Sequence, residues 1–162
     1  QEPEEKETDA KADTRPKIKQ PIAFESCDST LNVVPTAGGR VLTCLCEAGM
    51  QHLIAGARSN VGAKAGRYLY EVRVLESLGD PYGKNRHALR VGFSTKAASL
   101  ILDGTDAGAF HFDIETGRFF AEGNMQAAHK VKSSHDTVVG VLLNLDPKSP
   151  NAYTISIFQN GV

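Results

Sequence analysis

The chain has 162 residues and a formal net charge of -1, from 18 basic against 19 acidic side chains. Hydrophobic residues make up 41% and Gly fills 15 positions, which suffices to bury a core and excludes a wholly disordered or collagen-like chain. The near-neutral balance offers no general polyanion-binding surface, and no apolar run reaches the roughly 20 residues that a membrane-spanning helix needs.

Residues 1–20 stand apart from the rest. Positions 1–10 carry Glu2, Glu4, Glu5, Glu7 and Asp9 against Lys6, and positions 11–20 carry Lys11, Arg15, Lys17 and Lys19 against Asp13. Ile18 is the one large aliphatic in this stretch, too little apolar surface to offset the entropy of ordering it. A flexible charged arm is expected here, followed by one folded domain over 21–162. The basic half of the arm is the sequence's weak signal for RNA.

Beyond Pro21 the chain reads as short β-rich runs at 31–34, 40–46, 53–57, 68–75, 89–94, 109–113, 119–121, 138–145 and 154–159. Gly38-Gly39, Gly79-Asp80-Pro81, Asp103-Gly104, Glu115-Thr116-Gly117, Asp146-Pro147 and Asn160-Gly161 separate them. Such punctuation points to an all-β sandwich or barrel. Tyr68, Tyr70, Val72 and Val74 fall on one face of a strand whose other face carries Glu71 and Arg73, so that strand has a core side and a wet side. The run from Val138 to Leu143 is apolar throughout, as in a strand covered on both faces. Ile155 and Ile157 share a face. One short helical turn is expected over 96–102.

Cys27, Cys44 and Cys46 show neither a C-x2-C spacing nor His partners at ligand spacing. They are expected to be reduced thiols packed as small hydrophobes, in a reducing, intracellular compartment that is nuclear or cytoplasmic. His52, His87, His111, His129 and His135 are scattered and read as surface or structural imidazoles. Asp103, Asp106, Asp113 and Glu115 lack the alternating ligands of a calcium loop. No nucleophile elbow or phosphate loop is present. No catalytic residue, metal or cofactor is therefore expected.

Four stretches, taken together, resemble the SPRY domain family. Gly66-Arg67-Tyr68-Leu69-Tyr70-Glu71-Val72 is similar to its Gly-x-Tyr-x-Tyr/Phe-Glu-Val strand, and Leu89-Arg90-Val91-Gly92-Phe93-Ser94 to its Val-Arg-Ile-Gly-Trp/Phe-Ser strand. The run from Asp136 to Leu145 resembles the Asp-Val-Ile-Gly strand, and Ile155 to Val162 the Phe-x-x-Asn-Gly hairpin. Ala57-Arg58-Ser59-Asn60-Val61-Gly62 stands where the family often has an Arg-containing segment before Gly. Phe93 occupies the frequent Trp position, and the Trp-Glu-Val-Glu signature of tripartite-motif and butyrophilin versions is missing, which points away from ubiquitin-ligase targeting. The long connection from Asp146 to Tyr153 looks more like the SPRY domains of heterogeneous nuclear ribonucleoprotein U and of histone-methyltransferase complex subunits.

The resemblance implies a two-layer antiparallel β-sandwich of the concanavalin A-like type, whose loops gather into a recognition surface. It also implies further strands after Asn160-Gly161, so the chain is expected to be a fragment, or completed by a second polypeptide. Gly92 and Gly140 are expected where no side chain fits, and Asn160-Gly161 supplies two positive-φ centres for a tight hairpin.

The expected function is a non-catalytic module that binds a short peptide segment of a protein partner, within a larger regulatory or ribonucleoprotein assembly. Arg58, Ser59 and Asn60 would supply a cationic fork and amide groups for carbonyls or a carboxylate. Tyr82, Asn85 and Arg86 would supply hot-spot residue types, and Thr105 and Asp106 would complete the rim. Arg58 has a structural alternative, the neutralising of a carboxylate within the sandwich. An RNA-associated module acting through the arm, and a lectin-like glycan binder, are the alternative functions.

Overall fold

Alternation builds the strands of this all-β chain. The structure is a computed structural model that describes residues 14, 18–76, 89–121, 123–127 and 136–162. Tyr82, Asn85, Arg86 and nearly all of the 1–20 arm lie outside the described residues. The strands are β1 (Phe24–Ser29), β2 (Val33–Thr36), β3 (Val41–Cys44), β4 (Ala57–Ser59), β5 (Arg67–Arg73), β6 (Arg90–Ser94), β7 (Ala109–Asp113), β8 (Arg118–Ala121), β9 (Asn124–Ala127), β10 (Val138–Asn144) and β11 (Thr154–Gln159). A 3-10 turn at Met50–His52 is the one helical element among the described residues, and no helix there is long and apolar enough to cross a membrane.

The described chain forms two compact units. One comprises the chain up to Arg67 with Asn144–Thr154, the other Tyr68–Leu143 with Ile155–Val162.

The second unit is a two-layer sandwich. Its first sheet has the order β11-β10-β5. Val74 and Asp136 tie the end of β5 to the start of β10 through Val74 N to Thr137 O (3.0 Å) and Asp136 N to Val74 O (2.8 Å), so these neighbours run antiparallel. The second sheet, β6-β7-β8-β9, is antiparallel throughout, with Val91 opposite Phe112 and Phe112 opposite Phe119. Both sheets fill one core, with Val139 and Val141 from β10 meeting Val91, Phe112 and Ile114. Tyr70, Val72, Ile155 and Ile157 pack against this cluster, as the alternation of their strands requires. Tyr70 also bridges the layers. Its hydroxyl donates to the Gly92 carbonyl at 2.8 Å, and its ring meets Phe93 edge-on with centroids 5.3 Å apart. Burial pushes the Tyr70 phenol well above its ordinary range, so it stays a neutral donor.

In the first unit, β1 pairs with β4 through an irregular register, and β2 and β3 form a hairpin closed by positive-φ residues Ala37, Gly38 and Gly39. Buried Asn32 organises the loops, accepting from Thr30 Oγ1 (2.7 Å) and donating to Leu53 O (3.2 Å).

Several expectations need correction. The 53–57 run is not a strand: Leu53 and Ile54 are exposed, and pairing starts only at β4. Strands β1 and β9 were not expected, because neither FESCDS nor NMQA carries a clear apolar alternation; partners across the ladder decide them. Residues 96–102 form turns, not a helix, since Ser99 N bonds the Asp106 carboxylate and Leu102 O accepts from Arg90. The three thiols are free, as expected, but exposed and not packed. Cys44 and its neighbours Leu42 and Thr43 lie on the open faces of a two-stranded ladder.

The two strand glycines also differ. A Cβ on Gly92 would strike the Phe110 carbonyl and lie 2.7 Å from His111 Cα, whereas one on Gly140 would lie 3.5 Å from Phe158 Cβ, an ordinary contact. Only Gly92 is sterically required. The expectation for the turn holds: Asn160 and Gly161 have φ of 51° and 86°, and Gln159 and Val162 exchange backbone hydrogen bonds.

Candidate functional site

The sequence-derived residues that the structure describes fall on two places, one in each unit. In the first unit, Arg58 and Ser59 end β4 and Asn60 follows it. The Arg58 guanidinium lies 3.6 Å from Asp28 on β1, with its side chain 15% exposed. Ser59 Oγ donates to Val61 O at 3.0 Å. Asn60 is spent on its own fold, its Oδ1 accepting Ala23 N (3.1 Å) while Nδ2 donates to Pro21 O (3.3 Å) and to Glu25 Oε1 (3.0 Å). The amide does recognise an extended segment, but that segment is residues 21–25. The pairing with Asp28 matches the structural alternative considered for Arg58, the neutralising of a carboxylate.

In the second unit, Thr105 and Asp106 sit in the loop 95–108, between β6 and β7. Thr105 donates through N and Oγ1 to Asp103 Oδ1 (2.9 and 2.7 Å), and these bonds hold the Asp103 carboxyl below its usual range. Asp106 accepts Ser99 N and Gly108 N, both at 2.8 Å. These polar side chains preform the loop.

The loop is fastened to the outward face of the four-stranded sheet. Thr95 N bonds Gly108 O at 2.9 Å and closes its neck. Arg90 reaches from β6 to Asp113 Oδ2 (3.3 Å) on one side and to the carbonyl of Leu102 on the other. Gly104 takes φ 92°, and a Cβ there would come within 2.6 Å of the Phe120 ring, so the loop backbone rests on that ring. Asp113 is buried and also accepts from Glu115 N (3.1 Å) and Thr116 N (2.9 Å). Burial alone would raise its carboxyl, but the bonds from Thr116 and Arg90 outweigh it and hold the group below its usual range.

Under this loop lies a residue that the sequence did not single out. His111 on β7 points away from the core that Phe112 enters; it is 1% exposed and stacks on Phe120 with ring centroids 4.7 Å apart. Among the described residues, neither ring nitrogen has a hydrogen-bond partner. Burial, and then Arg90, depress its imidazole below the ordinary value, against the smaller pull of Asp113 and Asp103. Alternation in Ala109–Asp113 could have placed His111 opposite Phe112, but nothing local announces that a loop closes over it.

Among the described residues, no group of three or more His, Cys, Asp and Glu side chains could hold a metal ion. In comparisons with known proteins, no family model matches the chain and no curated protein matches it.

Proposed function

We propose that the chain is a non-catalytic interaction module of SPRY type that grips a short peptide segment of a protein partner through its loops, as part of a larger regulatory or ribonucleoprotein assembly inside the cell. One coincidence carries the reading. The four stretches that resemble SPRY strands fall on β5, β6, β10 and β11, and all four send side chains into a single core: Tyr70 and Val72, Val91 and Phe93, Val139 and Val141, Ile155 and Ile157. Strands committed to packing leave recognition to the connections between them. Two connections, the one that follows β4 and the 95–108 loop after β6, are preformed by their own polar side chains, which lowers the entropy lost on binding.

A peptide array probed with the whole chain tests this. Arg58→Ala is expected to weaken capture by about 1–3 kcal/mol, as is Tyr82→Ala, the range of a binding anchor. Asp28→Asn, which keeps the guanidinium, is expected to retain capture. Equal loss in Arg58→Ala and Asp28→Asn would reduce Arg58 to a structural role. Undiminished capture in the Arg58/Tyr82 double variant would remove the proposed surface.

A further inference from the structure

His111 is a buried imidazole whose nitrogens have no hydrogen-bond partner among the described residues, and the groups around it decide what a proton would do there. From β6 it faces Arg90, already joined to Asp113 and to Leu102 O. On its own strand β7 it faces Asp113, whose Oδ2 receives Arg90 and whose Oδ1 receives two backbone N–H groups. From the loop it faces Asp103, with Oδ1 engaged by Thr105; Lys96 and Asp106 belong to the same loop, and Asp106 is turned to Ser99 and Gly108. From β8 comes Phe120, against its ring, with exposed Arg118 opposite Asp113. Strand β9, Asn124–Ala127, carries no titratable residue.

A neutral ring already leaves both nitrogens without a bond in this position. An imidazolium would add a charge and a second donor, while both Asp113 oxygens and Asp103 Oδ1 are already engaged and the Arg90 guanidinium opposes the charge. Water is the readiest partner, and lifting the loop admits it, because the loop rests on the Phe120 ring that stacks against the imidazole. The ring's other side belongs to the sheet itself, whose opposite face is packed in the core.

We propose that His111 is the trigger of a proton-operated clasp, in which protonation of its ring releases the 95–108 loop from the four-stranded sheet while the two-layer core stays folded. The direction of the pH effect follows from linkage. The ring in the open state titrates near its ordinary value of about 6.5, and the closed state takes up a proton only at lower pH. Closure is therefore complete above about pH 6.5 and weakens as the pH falls, by up to about tenfold in the closing equilibrium per pH unit, until the closed-state ring itself protonates. Asp113 titrates in a lower window, near and below its unperturbed value of about 3.9, so the two effects separate along the pH axis. Since the loop carries Thr105 and Asp106, the clasp would also gate the proposed binding rim, but the release itself does not depend on that reading.

NMR of the full chain between pH 7.5 and 5 tests it. The expected result is loss of the contact between Gly104 Hα and the Phe120 ring as the pH falls below 6.5, in step with titration of the His111 ring, with the amides of Val139 and Val141 still protected. In His111→Phe, which keeps the stack and removes the titration, or in His111→Leu, the Gly104 signals should be independent of pH over this range. Wild-type protein alone can overturn the proposal, through a His111 ring that titrates at or above 6.5, or through loss of the Val139 and Val141 protection together with the Gly104 contact. The same pH response in a folded His111 variant would overturn it as well.

Discussion

Gly92→Ala is expected to cost about 3 kcal/mol or more, or to prevent folding. The added methyl meets the carbonyl of Phe110 and the Cα of His111, both backbone atoms of β7. Strand β7 lies between β6 and β8, and its Phe112 is in the core, so it cannot move aside without disturbing both. The same methyl would displace Gly92 O, which accepts the Tyr70 hydroxyl. Gly140→Ala provides the control: its methyl would make ordinary contacts with Phe158 and Leu69, and the change should stay within about 1 kcal/mol. Urea unfolding of the two variants checks this. Equal stability of Gly92→Ala and wild type would mean that the β6–β7 pairing is wrong.

Asp113→Ala ranks second, at about 2–4 kcal/mol, because it strands three donors at once. Arg90 loses its carboxylate and the N–H groups of Glu115 and Thr116 lose their acceptor. The Arg90 side chain is 32% exposed, and water can partly replace its partner, which keeps the cost below that of a fully buried pair. Asp113→Asn retains an acceptor for the turn and should cost about half as much, a difference that assigns the remainder to the ion pair. The sign of the pH effect is fixed by the depressed carboxyl. Its contribution is present above the unfolded value of about 3.9 and disappears as the pH falls through the lower folded value. Thermal unfolding from pH 7 to 2 should therefore show an acid limb in wild type that is reduced in Asp113→Ala.

The core was legible in the sequence and the clasp was not. Tyr70, Val72, Ile155 and Ile157 could be placed inward because strand periodicity alone assigns a face, and Asn160-Gly161 could be placed in a turn because its backbone preference is local. β1 could not be read, since Phe24–Ser29 is polar at most positions and pairs only because β4 and the Asn60 amide hold the segment beside it. Leu53 and Ile54 misled for the opposite reason: apolar residues in a run suggest a strand, yet both are exposed. At the candidate site, Arg58, Asn60 and Asp106 were read as partner-binding groups, but sequence cannot tell whether such a group faces a partner or its own chain. Asn60 and Asp106 face their own backbone. His111 was legible only as one of five histidines, because its burial depends on a loop folding back across the sheet.

The most direct measurement is an NMR footprint of a captured array peptide on the labelled chain, with the peptide's mass recorded before and after incubation. Amide shifts confined to the connections, around residues 57–62 or around 95–108, with an unaltered peptide mass, are the predicted result. Shifts centred on the strand faces of β5, β10 and β11, or a cleaved or modified peptide, would contradict a loop-based module that binds without chemistry.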